Sequence, residues 1–122
     1  MIIGIGCDVI EIDRIRDVIY KFGKAFLTRI FTDQEIAYCK QHKRDPISYY
    51  AGRFAAKEAI AKAIGIGIGA GLSWKCIEIC SNEKGKPWVI LHPNITEKYG
   101  ISDIHLSISH SKSVAMAYAL LE

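Results

Sequence analysis

The stretch Arg53-Phe54-Ala55-Ala56-Lys57-Glu58-Ala59-Ile60-Ala61-Lys62 reads as an alanine-rich helix that carries one carboxylate among three cations. At about 100° per residue, Arg53 and Lys57 share one side, Glu58 and Lys62 share another, and Phe54 and Ala61 fall between the pairs. The expected surface is a charged trough with a small-residue floor. Lys and Arg neutralise phosphate, and a carboxylate supplies oxygen to a hard cation such as Mg²⁺, so the trough suits a polyanion accompanied by a metal ion. The plainer alternative is a solvated face, since Glu58 and Lys62 form an i,i+4 pair worth a few tenths of a kcal/mol on any helix.

Working outward, Pro46 with Ser48 opens this helix and Gly65 closes it, which makes it the longest element. Upstream, Thr32-Asp33-Gln34-Glu35 is a capping-box pattern that starts a helix through Ile36, Tyr38 and Cys39 toward His42. Ile2 to Cys7 reads as a first strand, with Asp8 at a strand-to-helix corner. There Asp8 either caps the following helix, with Glu11 at the N3 position, or binds a metal ion from a rigid corner. From Ile10 to about Phe22 the apolar positions Ile12, Ile15, Val18, Ile19 and Phe22 follow helical spacing until Gly23, and a short helix is expected over Ala25 to Arg29.

Downstream, Gly65, Gly67, Gly69 and Gly71 make a loop that follows a helix, whereas a dinucleotide fingerprint follows a strand and opens a helix. Strands are expected at Leu72 to Cys80, Trp88 to His92, Ile104 to Ser109 and Val114 to Leu120, with a turn over Asn82 to Lys86 and a helical turn around Asn94 to Tyr99. The last strand is apolar enough to be central or at an interface.

At 122 residues the chain is expected to be one domain, 1–122. Half of its residues are hydrophobic and 24% are charged, which places it among folded globular proteins. Its apolar runs are too short to span a bilayer and it shows no export signal, so a cytoplasmic protein without a membrane partner is expected. A net charge of +3 gives no general attraction to nucleic acid. Cys7, Cys39, Cys76 and Cys80 lack zinc-ligand spacing; Cys76 and Cys80 are expected on one side of a strand, as small core hydrophobes. Basic residues gather between Arg14 and Arg29, where Asp17 is the single acid, and this face is either solvated or docks an acidic partner. His110, between Ser109 and Ser111 where the last two strands turn, is either a hydrogen-bonding strut or part of a phosphate grip.

Taken in order, Ile3-Gly4-Ile5-Gly6-Cys7-Asp8, Arg14-Ile15, Phe31 with Glu35 and Tyr38, Ala51 to Ala59, Lys62 to Gly65, Gly85-Lys86-Pro87 and Ser107-Ile108-Ser109-His110-Ser111 cover nearly the whole chain. In this order and spacing they resemble the small bacterial holo-[acyl-carrier-protein] synthases of the 4′-phosphopantetheinyl transferase superfamily. Cys7 replaces the aliphatic residue expected before the aspartate. Ile10 stands where larger relatives carry a second acid, so the resemblance implies a metal with two protein carboxylates and more water.

The resemblance implies an α+β fold, with an antiparallel sheet packed on a long central helix, assembled as a homotrimer with active sites between subunits. It implies transfer of 4′-phosphopantetheine from coenzyme A to a serine of apo acyl carrier protein, in support of fatty acid biosynthesis. Asp8 and Glu58 would hold Mg²⁺, Lys62 would act beside them, and Arg53, Lys62, Ser109 and His110 would bind coenzyme A. Arg14, Val18, Lys21 and Lys24 would meet the acidic carrier. The general base stays open between a metal-bound water and either carboxylate. The basic trough alone also suits a non-catalytic coenzyme A or nucleotide-binding module, and a purely structural subunit would leave it unused.

Overall fold

Isoleucine alternating with small residues becomes strand β1 (Gly4–Glu11) in the computed structural model, which describes residues 1–69 and 71–122. The strand runs further than its sequence pattern because β5 (Val114–Leu121) pairs with it antiparallel over its whole length, from Gly4 opposite Leu121 to Glu11 opposite Val114. Asp8 therefore lies inside the strand, opposite Ala117, and the expected strand-to-helix corner is corrected. Glu11, rather than Asp8, occupies the N-cap of α1 (Ile12–Phe22).

Gly23 ends α1 at a positive φ of 54° and leads into α2 (Lys24–Ile30). Thr32 then caps α3 (Asp33–Gln41) with the full reciprocal box: Glu35 N donates to Thr32 Oγ1, and Thr32 N donates to Glu35 Oε1. Asp45 caps α4 (Pro46–Ile64) by accepting from Ser48 N, and Gly65 closes it in the left-handed region. Within the glycine-rich loop that follows, Ala70 lies outside the described residues.

A 3₁₀ turn (Trp74–Cys76) precedes the hairpin of β2 (Ile77–Ser81) and β3 (Pro87–Leu91), so the expected strand from Leu72 begins only at Ile77. Cys76 sits in that turn, where its N–H bonds Ser73 O, and does not share a strand with Cys80. Helix α5 (Pro93–Tyr99) connects the hairpin to β4 (Ile104–His110), which pairs antiparallel with β5. The architecture is α+β, with one antiparallel sheet of order β1-β5-β4 and a separate β2-β3 hairpin.

The core explains why α4 is rich in alanine. Ala55, Ala59 and Ala63 on the helix meet Ala117, Ala119 and Leu121 of β5 in one buried cluster. Gly4 and Gly6 bring β1 closer still: a Cβ at Gly6 would lie 2.1 Å from Ala59 O, and one at Gly4 would lie 2.1 Å from Ala63 O. Strand and helix backbones thus touch directly, which only glycine permits. A second cluster, with Ile12, Ile15, Ile30, Phe31, Cys39 and Tyr50, joins α1, α2 and α3 to the start of α4. Full burial of side chains such as Phe31 contributes about 1.5–3 kcal/mol each.

Candidate active site

Gly4, Gly6, Asp8 and Ile10 form the half-buried face of β1, and their period of two aims Asp8 at the same helix that the glycines contact. Lys62 Nζ donates to Asp8 Oδ1 at 3.0 Å and to the Cys7 carbonyl at 3.1 Å. Asp8 is largely enclosed, with its side chain 15% exposed, while Lys62 keeps its outer part in solvent. The Asp8 carboxylate holds the Lys62 ammonium above its ordinary value. Glu58, one turn before Lys62, is half-buried; burial first, and then the charge of Asp8, push its carboxyl upward, with Lys62 opposing. The three predicted residues are brought together in one chain.

Arg53 and Lys57 do not form the open half of a trough, and that expectation is corrected. Lys57 is fully buried and gives its ammonium protons to Ile30 O at 2.9 Å, Trp74 O at 3.0 Å and Glu35 Oε1 at 2.7 Å. Glu35 in turn accepts from Thr32 N and Ile79 N. Each group in this ion pair is satisfied, which a buried charge requires. Burial pushes the Lys57 ammonium down, against the pull of Glu35. The pair ties α2, α3, the 3₁₀ turn and β2 to α4.

Arg53 is also buried; its Nη2 donates to Ser81 Oγ at 2.7 Å and its guanidinium lies 3.9 Å from the Tyr38 ring centroid. Its Nε has no protein partner. Arg53 and His110 line a cavity of about 200 Å³ whose other walls include Tyr38, Tyr49, Gly52 and Pro87. Ser109 is separated from this cavity. It stands opposite Met116 on the exposed face of the sheet, while its neighbour Ile108 turns inward against Gly52. None of Asp8, Glu58 and Lys62 lines the cavity, so within one chain the two places are separate. Along α4 the offset from Gly52 to Glu58 amounts to about 9 Å of helix rise.

Arg14, Val18 and Lys21 follow i, i+4, i+7 spacing on α1, with both cations exposed and Val18 half-buried between them. Lys24 is exposed at the start of α2. Tyr49 and the Glu35–Lys57 pair are the structural members that sequence reasoning missed. Tyr49 stands four residues before Arg53, and that spacing was the signal available.

A family model described as the 4′-phosphopantetheinyl transferase superfamily matches residues 4–119. A holo-[acyl-carrier-protein] synthase of Chlamydia pneumoniae is 51% identical over 119 residues, which is 98% of this chain and 96% of the relative. A crystal structure of the Helicobacter pylori holo-[acyl-carrier-protein] synthase in complex with coenzyme A matches with a TM-score of 0.90 at 36% identity, over 97% of this chain and 99% of that one. A Bacillus anthracis holo-(acyl-carrier-protein) synthase, in complex with CoA (3′,5′-ADP), matches with a TM-score of 0.85 at 42% identity, over 100% and 97% of the two chains. Sequence and fold agree: the chain belongs to the 4′-phosphopantetheinyl transferase superfamily, within its holo-[acyl-carrier-protein] synthases.

Proposed function

We propose that this protein transfers the 4′-phosphopantetheine group from coenzyme A to a serine of apo acyl carrier protein, with Mg²⁺ held by Asp8 and Glu58. The observation that carries the reading is the meeting of Asp8 with Lys62, 54 positions apart, beside a Glu58 whose carboxyl is raised by burial and by Asp8 itself. Two neighbouring carboxylates are a fitting donor set for a hard divalent cation, with the Lys62 ammonium at Asp8. When bound, Mg²⁺ offsets charge on the pyrophosphate and orients the reacting phosphorus.

In the transfer, the serine oxygen bonds to phosphorus and the bond to adenosine 3′,5′-bisphosphate breaks, the leaving oxygen keeping the electron pair. The serine proton passes to a base that is either a carboxylate or a water. Lys62 spends two protons on Cys7 O and Asp8 Oδ1, and its solvent-facing third proton is available to the pyrophosphate. Positioning and charge stabilisation supply most of the acceleration in such transfers. The Arg53 and His110 cavity takes the nucleotide end, with the Arg53 guanidinium as its cation.

The active assembly is a homotrimer in which a neighbour's cavity completes each Asp8–Glu58 cluster; Ser109, on the open face, then lies at the subunit boundary. Two observations support it: Asp8, Glu58 and Lys62 are absent from the cavity's lining within one chain, and Ile5, Val9, Met116 and Tyr118 leave an apolar sheet face exposed. The carrier docks on Arg14, Val18, Lys21 and Lys24. No helix among the described residues is long and apolar enough to cross a membrane. The proposed site of action is the cytoplasm, in fatty acid biosynthesis. The whole chain, 1–122, serves as one transferase domain.

The test incubates purified protein with coenzyme A, Mg²⁺ and apo carrier. The carrier gains the mass of one phosphopantetheine, and Asp8→Ala or Glu58→Ala abolishes the gain without loss of fold. An unchanged carrier at ample enzyme removes the proposal.

A further inference from the structure

Behind the cavity assigned to the nucleotide stands a residue that does not line it. Tyr49 is a wall of the cavity, and the His42 ring lies flat against it, with centroids 3.5 Å apart and planes 6° from parallel. Tyr38, a second wall residue, meets both rings edge-on, at 5.0 Å from His42 and 6.0 Å from Tyr49. Tyr49 is also the aromatic neighbour of His110, at 5.7 Å. His42 is the C-cap of α3 and Tyr49 belongs to the start of α4, so the stack joins two helices across residues 43–45.

His42 Nε2 is buried and has no hydrogen-bond partner, so no hydrogen bond from that nitrogen accounts for the ring's placement against Tyr49. A flat ring at this distance blocks rotation of the phenol about its Cβ–Cγ bond, because the turning edge would strike the imidazole. One face of Tyr49 is thereby occupied by His42, and the ring still lines the cavity.

We infer that His42 is a positioning residue for coenzyme A: by stacking on Tyr49 it fixes the plane of the wall against which the nucleotide end rests. The inference rests on the assignment of this cavity to the nucleotide. Without the stack, Tyr49 is free to rotate and the ligand has to order it on binding. The loss falls on nucleotide affinity and leaves the chemistry at Asp8, Glu58 and Lys62 untouched.

The experiment compares wild type, His42→Ala, His42→Phe and Tyr49→Ala by calorimetry with adenosine 3′,5′-bisphosphate, and by steady-state kinetics with coenzyme A and carrier. His42→Ala is expected to weaken the bisphosphate and raise KM for coenzyme A about two- to tenfold, the range of a stacked aromatic pair, with kcat and carrier KM unchanged. His42→Phe, which keeps a flat ring, restores both values. If His42→Ala does not fold, His42→Leu takes its place, with Phe again as the rescue. Wild-type affinity in His42→Ala together with weak binding in Tyr49→Ala overturns the role of His42 and leaves the cavity assignment standing. Wild-type affinity in both variants overturns the assignment as well, and a His42→Phe as weak as His42→Ala overturns stacking as the cause.

Discussion

Substitution of Gly6 by alanine tests whether direct contact between β1 and α4 sets the reacting geometry. The new Cβ would lie 2.1 Å from Ala59 O, 2.6 Å from Ala63 N and 3.1 Å from Lys62 Cβ. The first contact falls about 1.3 Å short of the 3.4 Å at which ordinary contact begins, and it meets helix backbone, which cannot swing aside. Strand and helix must part by about an ångström, at a cost of about 1–3 kcal/mol in stability. Asp8 sits two residues along on the same face, so the strand carries it away from Lys62 and Glu58. Misplacement on this scale lowers a rate about a hundredfold. The assay follows carrier mass against time at saturating coenzyme A and carrier, with Mg²⁺ titrated, beside urea denaturation. Gly6→Ala should lose about two orders of magnitude in kcat and need more Mg²⁺ for half-maximal rate. Gly4→Ala, which strikes Ala63 O farther from Asp8, should lose stability with a smaller loss of rate. A folded Gly6→Ala with wild-type kcat and Mg²⁺ dependence would refute the argument.

Lys57→Met leaves Glu35 buried and without its counter-ion, which should cost about 3–5 kcal/mol in urea denaturation, and adding Glu35→Leu should recover part of it. Failure of the single variant to destabilise would mean that the pair does not fasten α4. Burial holds the Cys39 thiol at about 12 against an ordinary 9.0, so the folded chain keeps a proton that the unfolded chain loses above about pH 9. Stability should therefore fall as pH rises through this window, by up to about 1.4 kcal/mol per pH unit. Tyr50, raised to about 12 from 10.0, adds to the fall above about pH 10. Cys39→Ala should flatten the slope of unfolding free energy between about pH 9 and 10, and an unaltered slope contradicts the assignment. Arg14→Glu should raise KM for the carrier and leave KM for coenzyme A nearly unchanged, as expected of an exposed steering charge; equal effects on both substrates count against docking at α1.

Local signals in the sequence carried most of the elements. The capping box at Thr32 and Glu35, Pro46 and Gly65 at the ends of α4, and the alternation of Ile104 to Ser109 each act within a few residues, and each is found where its pattern places it. Asp8 stood out in the sequence as a candidate ligand or helix cap, but its place inside a strand was not legible there. The pairing that extends β1 to Glu11 comes from β5, more than a hundred residues later. The same limit explains Lys57. Helical spacing put it beside Arg53 correctly, yet whether that side meets water or protein depends on Glu35, Ile30 and Trp74, which other segments bring. Ser109 and His110 are neighbours in sequence, and a strand's period of two sends them to opposite sides, so a cluster of hydroxyls around a histidine was no guide to one cavity.

The charges on α4 divide by position along the helix more than by side. Near its start, Arg53 and the aromatic wall of Tyr49 face the small cavity. In the middle, Lys57 is spent on structure, with each of its protons directed to a protein acceptor. Beyond it, Glu58 and Lys62 turn to Asp8. A change at Lys57 should therefore move stability and leave both substrate constants alone, whereas Glu58→Ala should abolish turnover and leave stability alone. The ion pair between the two functional ends is what keeps them in fixed relation, because it anchors α4 to α3 and β2 at the only buried cation among the described residues whose ammonium meets a carboxylate. Substrate binding and group transfer then act through one rigid rod, and in the proposed trimer each rod serves two sites, its nucleotide end in one and its acidic end in the next.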